Sequence, residues 1–385
     1  MAVETAQTQT VRSLTVKSSV WIEVYLDRIL RNLERLRQKT RPYTRVMAVV
    51  KANAYGHGLV PVAQALQGKV DFLGIGSLKE ASLLREQGIT APLFLFGRLF
   101  PGERAIALQM GLTLTVSSLE EAKAISEAAA KGTKKRKVPI HIKVDTGMGR
   151  LGMPIHRAFH EIEKIAAFGH LQLEGIYTHF PTAERYPDPF TTKQLSDFEA
   201  LIQDLRRIGI TFAYRHAANS AGTLRFKSTA LNLVRPGLAL YGIYPHSSLS
   251  GEIDLEPALS LKTRIAFLKK LSAGDSVGYG REFIAAEPTA IAVLPVGYAH
   301  GYPFHVSGKG EVLHYGRRYK VAGRVCMDSM MINIKTAPAH VGEEIVLLGS
   351  AGEERITAEE FASWAGSIPY EVVTRLDSGI PRIYL

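Results

Sequence analysis

The chain has 385 residues, 46% hydrophobic and 22% charged, with 34 glycines and one cysteine, which excludes a disordered or fibrous polymer, a disulfide framework and a multi-cysteine metal site. Its net charge of +11 suits an anionic ligand. The evident basic cluster, Lys131 to Lys137 (KGTKKRK), has no interleaved aromatics and reads as a solvated loop rather than a nucleic-acid surface.

Residues 1–18 are polar and Thr-rich and read as a flexible arm. No apolar stretch suits a secretory signal or a membrane span, so a cytoplasmic protein is expected. From about residue 20 strands and helices alternate. ILRNLERLRQ sets Ile29, Leu30, Leu33 and Leu36 at helical spacing. Apolar runs predict eight strands, at 45–50, 71–76, 92–97, 112–116, 140–144, 173–179, 214–218 and 232–236. The helical stretches between them include SLKEASLLREQG and SLEEAKAISEAAAKG, each with a serine start and a glycine stop. Eight β/α units predict a TIM barrel over residues 19–255. From 256 to 385 short strands and turn signals such as SAGDS and HYGRR predict a mainly antiparallel β domain. One helix, TAEEFASWAG, closes it, with Thr357 and Glu360 at capping-box spacing.

A barrel must carry its chemistry where strands end. Lys51, Asp145 to Arg150, His179, Asn219, Ser220 and Arg235 all fall there. Lys51, beside a turn rich in glycine and aromatics, is placed to be desolvated and partly neutral, as a Schiff-base nucleophile must be. By itself it reads more readily as a lysine snorkelling to the barrel rim, and the surrounding string decides.

The string VVKANAYGHG around Lys51 resembles the cofactor-lysine signature of the alanine racemases, pyridoxal-phosphate (PLP) enzymes built from a barrel and a β domain. The resemblance continues through KVDTGMGRLG (143–152), YTHF (177–180), ANSAG (218–222), VRPGLALYG (234–242), VGYGREF (277–283), LPVGYAHGYP (294–303) and GRVCMD (323–328). It covers about residues 20 to 385.

The resemblance implies interconversion of L- and D-alanine by two bases, supplying D-alanine for peptidoglycan. Lys51 would anchor the cofactor and act on one face of the substrate. Tyr279, reaching in from a partner subunit, would act on the other, which implies a homodimer with shared sites. A phenol has a pKa near 10 and needs nearby positive charge to serve as a base. His179 would lie against the cofactor and Arg235 would face its ring nitrogen. Guanidinium keeps its protons, so the electron sink is weakened and racemisation is favoured over transamination or elimination. Phosphate would meet Ser220 and Gly237, after strands seven and eight, beside Asn219. The resemblance adds the Tyr55 and Tyr370 hydroxyls and the Leu238 backbone. The substrate carboxylate would meet Arg150 and the Met327 N–H of the partner. Lys143 matches a lysine that is carbamylated in many members. Tyr298 and Tyr370 would crowd the entrance and select small substrates. His300 stands where the family usually has aspartate, and Cys326 reads as buried beside Met327.

Other readings are a racemase of another small amino acid such as serine, a decarboxylase of similar architecture, and a non-catalytic PLP-binding barrel. The last would leave residues 256–385 without a purpose.

Overall fold

The computed structural model describes residues 18–132, 136–185, 188–225 and 231–385. The expected arm, save for residue 18, and residues 133–135 of the basic run lie outside the described residues. Lys131, Arg136 and Lys137 are exposed.

All eight expected strands form, as Arg45–Val49, Phe72–Ile75, Leu93–Leu95, Thr113–Val116, Val138–Asp145, Leu171–Tyr177, Tyr214–His216 and Leu233–Val234. Each pairs in parallel with the next from the first to the seventh, and the eighth returns beside the first. Backbone bonds from Asn232 N to Arg215 O (3.1 Å) and Arg235 N to Ala218 O (2.9 Å) join seventh to eighth and close the barrel. Phe72–Ile75, Leu93–Leu95 and Thr113–Val116 are buried on both faces, which is why they read as continuous apolar runs. Met47, Phe72, Phe94, Tyr177 and Leu233 form a cluster of their own inside the barrel, whereas Val46 and Ala48 join the main core. Ser77 and Ser118 cap their helices as expected, each accepting from the N–H three residues on.

The second part is mainly antiparallel. Its larger sheet runs Arg317–Lys320, Glu311–His314, Glu344–Ala351, Leu259–Arg264, Val20–Val24 and Arg382–Tyr384. Residues 20–24, grouped with the barrel on sequence, pair instead with Leu259–Arg264 and, in parallel, with Arg382–Tyr384. Among the described residues, this sheet therefore takes one strand from before the barrel and the rest from after it. Thr357 caps the helix Ala358–Ala365 by accepting from Glu360 N. The Glu360 carboxylate binds Arg318 at 2.7 Å. A further short helix, Pro369–Thr374, absent from the sequence reading, packs against the turn that follows Lys51.

Candidate active site

The first barrel strand runs into a turn of unusual hand. Ala52, Asn53, Ala54 and Tyr55 all have φ between 52° and 54°, a left-handed conformation costing about 1–2 kcal/mol per residue with a Cβ. Its surroundings hold it there. Glu80 accepts from Ala52 N and from Gly76 N, both at 2.7 Å. The buried His57 Nδ1 donates toward Ala54 O and Tyr55 O at 3.1 and 3.0 Å, and Arg382 Nε donates to Gly56 O at 2.8 Å. A side chain at Gly56 would collide with Val373 O, and one at Gly58 with the Tyr384 hydroxyl. The close-packed C-terminal segment thus aims the end of strand one, and Lys51 with it.

Lys51 opens on a cavity of about 850 Å³. Its wall holds Tyr55, Lys143, Arg150, His179, Asn219, Ser220, Arg235, Gly237 and Tyr370. Ten of the residues expected on sequence therefore converge, Lys51 included. Burial, then Arg150, lowers the Lys51 pKa. Burial, followed by Arg150 and Arg235, pushes Lys143 down to about 8. Glu184 is the one acid on this wall among the described residues. A space with four cations and one carboxylate suits a ligand with more than one negative group.

Arg235 is buried, 3% exposed. Nη2 donates to Thr178 O and Ala217 O at 2.8 and 2.9 Å and faces His179 Nδ1 at 3.3 Å. Nη1 meets His216 Nδ1 at 2.8 Å. Burial pulls Arg235 down to about 10, so it remains a cation at neutral pH. Burial and then Arg235 hold His179 well below its ordinary pKa. His179 is thus neutral at neutral pH.

The Ser220 hydroxyl accepts from Gly237 N at 2.9 Å and Ala239 N at 3.2 Å, leaving its own proton to donate. Gly237 has no room for a side chain, since a Cβ there would lie 2.6 Å from the Tyr55 hydroxyl oxygen. Asn219 lines the wall, but its amide bonds Phe180 O and Gly222 N. Leu238 is fully buried. In the DTGMGRLG loop Asp145 accepts from Gly147 N and Gly149 N, turning the chain toward Arg150.

Tyr279, Met327 and Tyr298 do not line this cavity. They stand on the second part, 72%, 59% and 46% exposed. Tyr279 sits at the tip of a small hairpin, Ser276–Val277 against Phe283–Ile284. The Tyr298 turn is tied to the Met327 loop by Tyr298 N to Cys326 O (3.1 Å) and Ala299 N to Met327 O (2.8 Å). His300 Nδ1 accepts from Gly297 N at 3.2 Å, reaching back from the third position of the short helix to its cap. Cys326 is half-buried rather than buried.

Sequence reasoning missed Glu80 and the pair His216 and His141. Ser77 with Glu80 three residues on was a legible capping signal. The histidines lie within strands, where only the barrel shows which side chains point inward.

Two family models match, the alanine racemase N-terminal domain over residues 24–245 and the C-terminal domain over residues 258–384. The alanine racemase of Desulforamulus reducens is 42% identical over 96% of this chain and 100% of its own. A solved alanine racemase from Clostridium difficile 630 superposes with a TM-score of 0.90 at 33% identity, covering 96% of this chain and 97% of the other. One from Bacillus anthracis with bound L-Ala-P gives 0.88 at 35% identity, covering 96% of each. With both parts matched and such identity sustained along nearly its whole length, the chain belongs to the alanine racemase family.

Proposed function

We propose that the chain interconverts L- and D-alanine with PLP as cofactor, two chains completing each site. The observation that carries this reading is the cavity in which Lys51, Lys143, Arg150 and Arg235 face a single acid among the described residues. Phosphate and substrate carboxylate together match that charge. The side chains fit the cofactor. Ser220, Tyr55 and Tyr370 would hold phosphate with hydroxyls, the latter two kept protonated because burial raises both phenols. The bare backbone at Gly237 and Leu238 would approach it closely, with Asn219 shaping the loop. PLP, when bound, supplies the electron withdrawal that makes an α-proton removable.

The protein's own groups do the rest. Lys51, its proton affinity lowered by burial, takes or returns the α-proton on one face. Tyr279 of a second copy serves the other face, which its exposure permits. Arg235 presents donors that keep their protons, which favours prompt return of the α-proton over transamination or elimination. Arg150 takes the carboxylate, helped by the Met327 N–H of the second copy, and Tyr298 with Tyr370 narrows the entrance. Lys143, neutral in part at neutral pH, is suited to carbamylation, and a carbamate would offset the Arg150 charge. The same reading divides the chain near residues 255 and 256 and assigns the D-alanine to peptidoglycan. It includes a cytoplasmic location, supported by the free cysteine at 326. No helix among the described residues is long and apolar enough to cross a membrane.

The test is interconversion and α-deuterium uptake from each alanine enantiomer, with L-serine and L-lysine as competitors, by the PLP-loaded protein and by Tyr279→Phe. Racemisation of alanine that falls in both directions in the variant is expected. Carbon dioxide release, or unchanged racemisation in Tyr279→Phe, overturns the reading.

A further inference from the structure

Arg235 ends a row of hydrogen bonds that runs away from the cavity, through the barrel interior. Arginine only donates. Its 2.8 Å contact therefore makes His216 Nδ1 an acceptor, and a neutral ring must then carry its proton on Nε2. That nitrogen lies 2.8 Å from His141 Nδ1, which must accept in turn. His141 Nε2–H is left to donate to the Glu174 carboxylate at 3.3 Å. Both imidazoles are fully buried. Burial is the first cause lowering each pKa, so both are neutral at neutral pH. The two ends agree on one direction: a donor-only cation at the cavity, an acceptor-only carboxylate toward the far mouth.

The packing keeps these rings from turning. His216 stacks on Tyr177 at 4.8 Å and 2°, and His141 on Tyr214 at 5.6 Å and 26°. Gly175 leaves the space His141 needs, because a Cβ there would lie 2.6 Å from the ring. Glu174, partly exposed, also accepts from Thr113 Oγ1 at 3.4 Å. The ion pair Arg45–Asp71 stands near the same mouth. Were His216 to carry its proton on Nδ1, two donors would meet at 2.8 Å and the guanidinium would have to leave its place.

We propose that His216, His141 and Glu174 are positioning residues for Arg235, a one-way row of hydrogen bonds by which a carboxylate near the far mouth holds the guanidinium as a donor toward the cavity. The proposal rests on the reading of Arg235 given above. It predicts a tautomer for each of two histidines that neither catalysis nor folding alone requires.

The first measurement is long-range 1H–15N correlation on 15N-histidine-labelled full chain at neutral pH, without PLP and then loaded with it. Two neutral rings protonated on Nε2 are expected at 141 and 216. A charged ring, or a proton on His216 Nδ1, overturns the proposal. This readout needs no turnover, so it can fail while racemisation stands, and the reverse. The second uses Glu174→Gln and His141→Phe in the loaded enzyme. Each should lower kcat roughly tenfold, the size of one lost charged hydrogen bond, with KM little moved and a larger share of turnovers ending in transamination. Unchanged tautomers and an unchanged transamination share in folded Glu174→Gln overturn it. If that variant does not fold, the wild-type tautomers still decide.

Discussion

The barrel wall of the cavity and the residues of the second part proposed to complete it from another copy are built on opposite terms. Arg235 and Ser220 are buried and held by several hydrogen bonds, and Lys143 is buried facing the Tyr177 ring. Tyr279, Met327 and Tyr298 stand exposed, Tyr279 at a hairpin tip and the other two on turns tied to each other through the backbone. The difference teaches where the costs of a charged site are met. Cations can be gathered in a low-dielectric space only where packing and hydrogen bonds hold them. Groups proposed to close the site from another chain would have to stay exposed until that chain arrives.

The largest expected effect tests whether the halves come from different chains. Lys51→Ala and Tyr279→Phe should each lose activity by about 10²-fold or more. Dissociated together and reassociated, they should regain roughly a quarter of wild-type activity, since half the dimers then carry one intact site. No recovery, measured as racemisation per chain, would place both residues in one chain's site.

A middle effect sharpens the barrel half alone. Gly237→Ala sets a methyl 2.6 Å from the Tyr55 hydroxyl oxygen, and overpacking of that kind costs about 1–3 kcal/mol. PLP affinity, followed by absorbance titration, should fall about tenfold. Gly251→Ala, where a Cβ meets nothing within 4 Å, should change nothing.

The smallest effect concerns stability and pH. With Lys143 pushed from 10.5 to about 8 in the folded protein, the unfolded chain binds more protons between those values. The sign is therefore a stability that rises with pH through the window from 8 to 10.5. In PLP-free protein and CO₂-free buffer, Lys143→Met should abolish that rise and add at most about 3 kcal/mol at pH 7 by urea unfolding. A wild-type curve flat across the window would show that the buried amine is compensated.

Much of this was legible before any coordinates. Most of the eight strands could be read because both faces of a parallel sheet are covered, which makes them apolar runs, whereas Tyr214–His216 and Leu171–Tyr177 carry polar residues and stood out by their place in the alternation. Lys51 stood out by its neighbours, not by its own chemistry. The left-handed turn after it was not legible: only Asn53 has any local leaning toward positive φ, Ala52, Ala54 and Tyr55 have none, and the conformation depends on Glu80, His57 and a C-terminal segment more than 300 residues away. Asn219 read as a ligand because it adjoins Ser220, yet its amide is spent on backbone partners.

By itself the sequence determined the alternation of elements, the gathering of polar and charged residues at strand ends and the family motif around Lys51, because periodicity, capping and motif order are properties of neighbouring residues. Only the tertiary structure decided that residues 20–24 belong to the second sheet, that Tyr279 faces outward, and that Arg235 is joined through two histidines to Glu174. Each of those depends on which strands lie side by side and which side chains turn inward, and no spacing along one chain encodes that.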